Sequence, residues 1–257
     1  MILEALALPS HLHTQHKISK KSLVAQTQNS ASTQRLLQQT LSNSNLLAHI
    51  TPNSSNIPAY QDEQSEYLEL MVIQCTLKDK LPSHSQCSQL HRLFHQHIPY
   101  PVILEIITAN GESAQWSLAH KTINQADTSN EKLVVQEIIQ THWLPLTTPD
   151  TLLENLFAAI EFNQQPKQHL LALYEALQQY LVSYLLALSL NKTSLKDAAP
   201  AYAVSLDEKR DTLHKIQQLK QDIAALENKR NKTQQFNEKV ELNMEIQKLK
   251  AQLAKLA

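Results

Sequence analysis

The segment from Ser205 to Ala257 contains neither glycine nor proline, and its large apolar residues recur every three or four positions. That periodicity draws one apolar stripe along a helix, and a helix of this length cannot bury its own stripe. It must fold back as a hairpin, pair with another chain, or lie on another protein. Leu213, Ile216, Leu219, Ile223 and Leu226 are spaced 3, 3, 4, 3, and Leu242, Ile246, Leu249, Leu253 and Leu256 are spaced 4, 3, 4, 3. Residues 227–235 between them hold no large apolar side chain. Extending the first register places the seam at Arg230, Thr233, Asn237, Val240, Met244 and Gln247, which misses the second series. The break favours two helices joined near residues 231–234. The alternative is a continuous helix in an oligomer, since no glycine or proline forces a turn.

The single glycine, Gly111, restricts the chemistry. A Walker A loop, a GxGxxG turn and a G-x-S-x-G elbow all need more glycines, which argues against P-loop ATPases, Rossmann dehydrogenases, protein kinases and α/β-hydrolases. Net charge is −1, so no overall field draws the chain to nucleic acid or membrane. Cys75 and Cys87 lie 12 apart, without zinc-site spacing, and read as reduced buried thiols. The N-terminus lacks the basic region and long apolar run of a signal peptide. The most apolar stretch, 170–188, is interrupted by Glu175, Gln178 and Gln179, so it reads as a buried helix rather than a membrane span. These features predict a cytoplasmic protein.

Residues 10–32 are polar and mildly basic, and 33–41 reads as a short helix with Leu36, Leu37 and Leu41. A short apolar run at 46–50 reads as a strand, and 51–64 as a loop. Residues 67–78 alternate, then become apolar on both faces, as expected of a central strand. Residues 83–97 follow helical spacing. Asn110-Gly111 between the runs 101–108 and 114–123 predicts a β-hairpin with a type I′ turn. Residues 132–141 form another strand. Thr148-Pro149-Asp150 reads as a helix start with Thr148 as N-cap, followed by helices over 151–162 and 167–191. The fold class is α+β. A mixed or antiparallel sheet packed by helices occupies 1–146, a helical segment packing on it occupies 147–204, and a coiled-coil arm occupies 205–257.

Candidate chemistry is sparse. His11, His13 and His16, and His91, His95 and His97, have spacings that suit metal ligation. No acidic residue or cysteine completes either set, so they read as ordinary histidines and no metal or cofactor is assigned. A restriction-type nuclease needs an acid on one strand and an E-x-K on the next. Glu69 and Glu105 fall in strands, but neither begins an E-x-K, and Lys121 would have to supply the amine from elsewhere. The structural alternative pairs Glu105 with Lys121 across the hairpin. Lys17, Lys20, Lys21 and Lys229, Arg230, Lys232 form two local basic groups that could contact phosphates or simply face solvent. Trp116 and Trp143 read as core or edge aromatics.

The string Gln235-Phe236-Asn237-Glu238-Lys239-Val240-Glu241-Leu242-Asn243 resembles the C-terminal signature of a bacterial family catalogued as domain of unknown function 4391. Ile50-Thr51-Pro52, Asn56-Ile57-Pro58-Ala59, the run Ile98-Pro99-Tyr100-Pro101-Val102-Ile103-Leu104-Glu105, and His142-Trp143-Leu144-Pro145 resemble its upstream blocks, in order. The segment around 164–189 departs from the family by being longer. The resemblance implies a small cytoplasmic bacterial protein whose genes stand beside helicases and DNA methyltransferases in clusters linked to defence against phage and mobile elements. It implies no reaction and carries over no catalytic residue.

The expected function is therefore a non-catalytic accessory subunit docking on a helicase- or methyltransferase-containing assembly, with self-association as a further use of the arm. Leu213, Ile216, Leu219, Ile223, Leu226, Phe236, Leu242, Ile246, Leu249 and Leu253 are its expected interface. The alternatives are a divergent metal-dependent nuclease using Glu69, Glu105 and Lys121, and a direct DNA- or RNA-binding module using the two basic groups.

Overall fold

Side-chain caps set most of the helix starts. Ser19, Ser30, Thr51, Ser83, Asp150 and Ser205 each accept a hydrogen bond from a backbone N–H in the first turn that follows. At Thr51, Ser83 and Ser205 the third residue returns a bond to the cap, which closes a capping box. The computed structural model describes residues 2–27, 30–123, 133–195 and 205–256. Its elements run α1 (Ile2–Ala5), β1 (His13–Lys17), α2 (Lys20–Gln26), α3 (Ala31–Thr40), β2 (Leu41–Ile50), α4 (Pro52–Ser55), β3 (Tyr60–Gln61), β4 (Glu66–Tyr67), β5 (Leu70–Leu77), α5 (His84–His97), β6 (Val102–Ile107), β7 (Ser113–Ile123), β8 (Leu133–Gln140), β9 (Leu144–Pro145), α6 (Thr151–Ala159), α7 (Leu170–Ser189), α8 (Leu206–Lys232) and α9 (Phe236–Lys255).

The fold is α+β, with a mixed seven-stranded sheet. Its order is β1-β2-β5-β6-β7-β8, with β9 also pairing β7. Only β5 and β6 are parallel, and α5 is the crossover between them. Alternate residues divide the two faces. Ile73, Cys75, Leu77, Val102, Leu104 and Ile106 meet Leu90, Leu93 and Phe94 of α5 and Leu37 of α3. Gln74, Ile103, Glu105 and Trp116 face the other way, where Trp116 packs at a tilt against Phe157 of α6 and Ile103 lines one small cavity with Leu173 and Leu177 of α7. Every residue of β6 is buried, as a central strand covered on both faces requires. Both cysteines are free and buried, and burial pushes the Cys75 thiol up to about 12.

Several boundaries differ from the sequence reading. The polar stretch 10–32 folds as edge strand β1 and helix α2, whose Leu23 enters the core. The hairpin joins β6 to β7, but its turn is not type I′. Only Gly111 has positive φ (75°), and the loop is held by Gly111 N–H donating to Thr108 O and Thr108 N–H donating to Ser113 O. Asn110 instead caps the loop, its Oδ1 accepting from Thr108 Oγ1 and Glu112 N. The α6 cap is Asp150, not Thr148, because the Asp150 carboxylate accepts from Leu153 N at 2.8 Å. Of the predicted strand 132–141, Lys132 lies outside the described residues, as do 196–204 of the predicted helical segment.

The chain divides into two compact units, Met1–Gln178 and Gln179–Ala257, with the division inside α7. In the first unit, the buried Tyr174 hydroxyl donates to Val102 O at 2.8 Å and accepts from Ala119 N at 2.9 Å. It bridges β6 and β7 beyond their last paired residues, Leu104 and Ser117. Tyr174→Phe strands both backbone groups and is expected to cost about 2 kcal/mol of unfolding free energy. Urea denaturation checks this; a variant as stable as wild type refutes the bridge.

In the second unit, α8 and α9 form an antiparallel pair. Lys229 pairs with Glu238 at 3.5 Å near the turn, and Glu227 pairs with Lys250 at 2.8 Å further along. Partners that separate in both sequence directions from the turn define a hairpin. The link is only residues 233–235.

Candidate functional site

Glu105 sits at the centre of the sheet with no exposed surface. Three N–H donors point at its two carboxylate oxygens: Ile2 N at 2.9 Å, Trp116 Nε1 at 3.0 Å and Gln74 Nε2 at 2.6 Å. Register explains two of them. Gln74 and Trp116 are the Cα partners of Glu105 on the flanking strands, so all three side chains leave the same face. The third ties α1 to the sheet. The expected pairing with Lys121 does not form. Lys121 Nζ lies on the α5 face and donates to Ile98 O at 2.5 Å and Tyr100 O at 2.8 Å. A cation there satisfies carbonyls at the C-terminal end of α5. Burial pushes the Lys121 ammonium down to about 7.

Glu69 is elsewhere again, its carboxylate 2.6 Å from His49 Nε2 at the half-exposed ends of β2 and β5. The nuclease trio of Glu69, Glu105 and Lys121 is therefore divided among three separate sets of partners on two sheet faces.

The cluster with the densest polar chemistry lies under α5. His91 and His95, one turn apart, both reach the buried Ser117 hydroxyl: His91 Nδ1 at 2.7 Å and His95 Nε2 at 2.8 Å. His91 Nε2 is 3.3 Å from Gln115 Oε1, which also accepts from Gln140 Nε2. The acceptor at Gln115 fixes the tautomers of the neutral rings. His91 carries its proton on Nε2 and accepts the Ser117 hydroxyl at Nδ1; Ser117 in turn accepts from His95 Nε2–H. His95 Nδ1 is left without a partner. Burial pushes His91 down to about 4. Burial, with His91 and Lys121 nearby, holds His95 well below its ordinary value. The i, i+4 spacing signalled a shared helix face, but Ser117 and Gln115 carry no sequence signal of their own. Among the described residues, no three His, Cys, Asp or Glu side chains stand close enough to hold a metal ion. His11 and His13 each bond a backbone carbonyl, Ser54 O and Leu8 O.

The basic groups are partly engaged. Lys20 donates to Leu41 O, and Lys78 joins it at the C-terminal end of α3 by donating to Gln38 O. Burial, then repulsion from Lys78 and Lys17, lowers the Lys20 ammonium. Lys21 is exposed. In the arm, Lys229 pairs with Glu238, Arg230 Nη1 donates to Asn243 Oδ1 at 2.9 Å, and Lys232 is exposed.

Of the ten arm residues expected at an interface, Leu213, Ile216, Ile223, Leu242 and Ile246 are buried, and Leu219, Leu226, Leu249 and Leu253 are half-buried. Phe236 is the exception, 77% exposed. It shares one face of α9 with Val240 and Met244, at i, i+4 and i+8, which are 41% and 68% exposed.

A family model described as a domain of unknown function, DUF4391, matches residues 6–253. The chain belongs to the DUF4391 family. No curated protein and no solved structure matches it.

The geometry gives the DUF4391-like strings physical roles. In Gln235–Asn243, Glu238 accepts from the Thr233 hydroxyl and pairs with Lys229, Asn243 takes Arg230, and Leu242 is buried. These close the hairpin, while Phe236 and Val240 point outward. Thr51 caps α4, and Pro58 O accepts from Leu170 N at the start of α7. Ile98 and Tyr100 supply the carbonyls that hold Lys121, and Leu144-Pro145 is β9. No helix among the described residues is long and apolar enough to cross a membrane.

Proposed function

We propose that this DUF4391 chain is a non-catalytic accessory subunit of a cytoplasmic bacterial nucleic-acid-processing assembly, and that its helical arm carries the docking surface. The observation that supports this is the exposed Phe236–Val240–Met244 stripe on a helix whose opposite residues, Leu242 and Ile246, are already buried. A second apolar face on such a hairpin is left for another protein, and aromatic and methionine side chains suit protein interfaces. The reactive side chains also have structural employment: Glu105 under three donors, Lys121 on two carbonyls, and Ser117 between two histidines. The helicase- or methyltransferase-containing defence assembly is the one the family resemblance implies.

The test is Phe236→Glu with Met244→Glu in the full chain. Both side chains are exposed, so folding is expected to be unchanged. The wild-type chain is expected to co-purify from bacterial cells with a helicase or methyltransferase subunit, and the double variant to lose it. Identical partners and identical masses by light scattering for the two proteins would sink the proposal.

A further inference from the structure

A groove of about 510 Å³ runs between α5 and β8 in the first unit, walled by Ser88, His91, Arg92 and Gln96 on the helix and by residues 135–138 and Gln140 on the strand. Successive strand residues point to opposite faces. Four consecutive residues on one wall therefore mean that the groove meets the backbone edge of β8, not one of its faces. β8 ends the strand order, and among the described residues it pairs only with β7.

The direction of its free backbone groups follows from the next strand. Ala119 N–H points away from β8, because it donates to the Tyr174 hydroxyl, which also bonds Val102 of β6. Ala119 is opposite Ile138, so this is a non-hydrogen-bonded pair and Ile138 turns its own N–H and C=O outward. Two residues on, Gln140 does the same. The register jump between His120 and Lys121 puts a bulge at Gln136, but residues 137–140 pair without interruption. The opposite edge is different: β1 has five residues, nearly all exposed, with a register break and a terminal Lys17. Those features discourage strand addition.

The wall chemistry narrows the occupant. Arg92 is exposed, and it makes no hydrogen bond or ion pair among the described residues. It is the single Lys or Arg lining the groove, and Glu137 stands across from it. One cation beside an acid does not suit a phosphate chain, which takes several cations. Outward N–H and C=O groups at every second residue suit an extended peptide.

We propose that this groove captures an extended segment of a partner protein. The segment adds as a strand to residues 137–140 of β8 and sets an acidic side chain on Arg92. The inference is independent of the arm, since every residue it uses lies in the first unit.

The test selects binders for the full chain from a display library of random dodecapeptides, then titrates the enriched peptide by fluorescence polarisation. The enriched peptides are expected to carry Asp or Glu. Arg92→Glu should weaken binding by about tenfold, and replacing the peptide acid by Lys should restore it. Ile138→Pro, which removes an outward N–H but no bond to β7, should also weaken binding. Hydrogen exchange should show the Ile138 and Gln140 amides protected only with peptide bound. Failure to enrich any peptide overturns the proposal, as does undiminished binding to Arg92→Glu. So does a wild-type dimer that Ile138→Pro dissociates, because the edge would then belong to a second copy.

Discussion

Glu105→Ala is expected to lower the unfolding free energy by about 3–5 kcal/mol. The substitution leaves the Ile2 N–H, the Trp116 indole N–H and the Gln74 amide pointing into a dry site. It also removes the tie between α1 and the sheet, and the cavity term adds to the lost hydrogen bonds. Glu105→Gln should cost less, about 1–2 kcal/mol. Glu105 Oε1 takes both Ile2 and Trp116, and a glutamine oxygen can keep them. Its amide nitrogen then meets the Gln74 amide, which can rotate to offer its oxygen. The pair of variants separates two roles for this acid. A structural acceptor gives a large stability loss in Ala and a small one in Gln, read by urea denaturation. A metal-binding acid would show the reverse: small effects on stability in both, and loss of a Mg²⁺-dependent DNA cleavage in both. Ala within about 1 kcal/mol of wild type would remove the structural role.

Local patterns were legible where one interaction decides the outcome. The helical spacing of 83–97, the Asn110-Gly111 hairpin and the two-sided burial of β5 all follow from residues within a few positions of each other. The hairpin arm followed from a register break across 227–235, and the turn at 233–235 overlaps the predicted 231–234. What failed to show depends on partners distant in sequence. Strand β1 is polar because it is an edge, so it lacks the alternation that announces a strand. The cap is Asp150 rather than Thr148 because, of two candidates two residues apart, the Asp150 carboxylate accepts from Leu153 N. Opposite charge across the hairpin suggests Lys121 as the partner of Glu105, whereas register places Trp116 and Gln74 beside it. Phe236 opens α9 nearly two turns before its first buried position, Leu242, and lies on a different face of the helix. Exposure of that side chain is a tertiary property, and it is what turns the family's C-terminal string from a packing signal into a candidate surface.

Acid should destabilise the first unit through His91 and His95. In the unfolded chain a histidine takes up its proton near pH 6.5. Folded His91 resists until about pH 4, because burial disfavours the imidazolium and its Nδ1 already accepts the Ser117 hydroxyl. The unfolded state therefore binds more protons between these values, and stability falls as the pH drops through that window. The full penalty for His91 is about 3 kcal/mol. Most of it should be present at pH 4.5. His95 is shifted in the same direction and adds to the loss. Of the groups around them, Ser117, Gln115 and Gln140 do not titrate in this range. Lys121 titrates higher: its folded value near 7 places its effect above neutrality, where stability rises with pH. The two windows meet only near pH 7, so comparing wild type with a His91 variant at pH 7 and pH 4.5 isolates the histidine. His91→Gln removes the titration while keeping polar atoms near Ser117, and it should flatten the pH dependence by about 2–3 kcal/mol across that interval. If wild type and His91→Gln lose stability in parallel, the imidazole of His91 is reached by water, and the closed relay from His95 through Ser117 to Gln115 does not describe the folded chain.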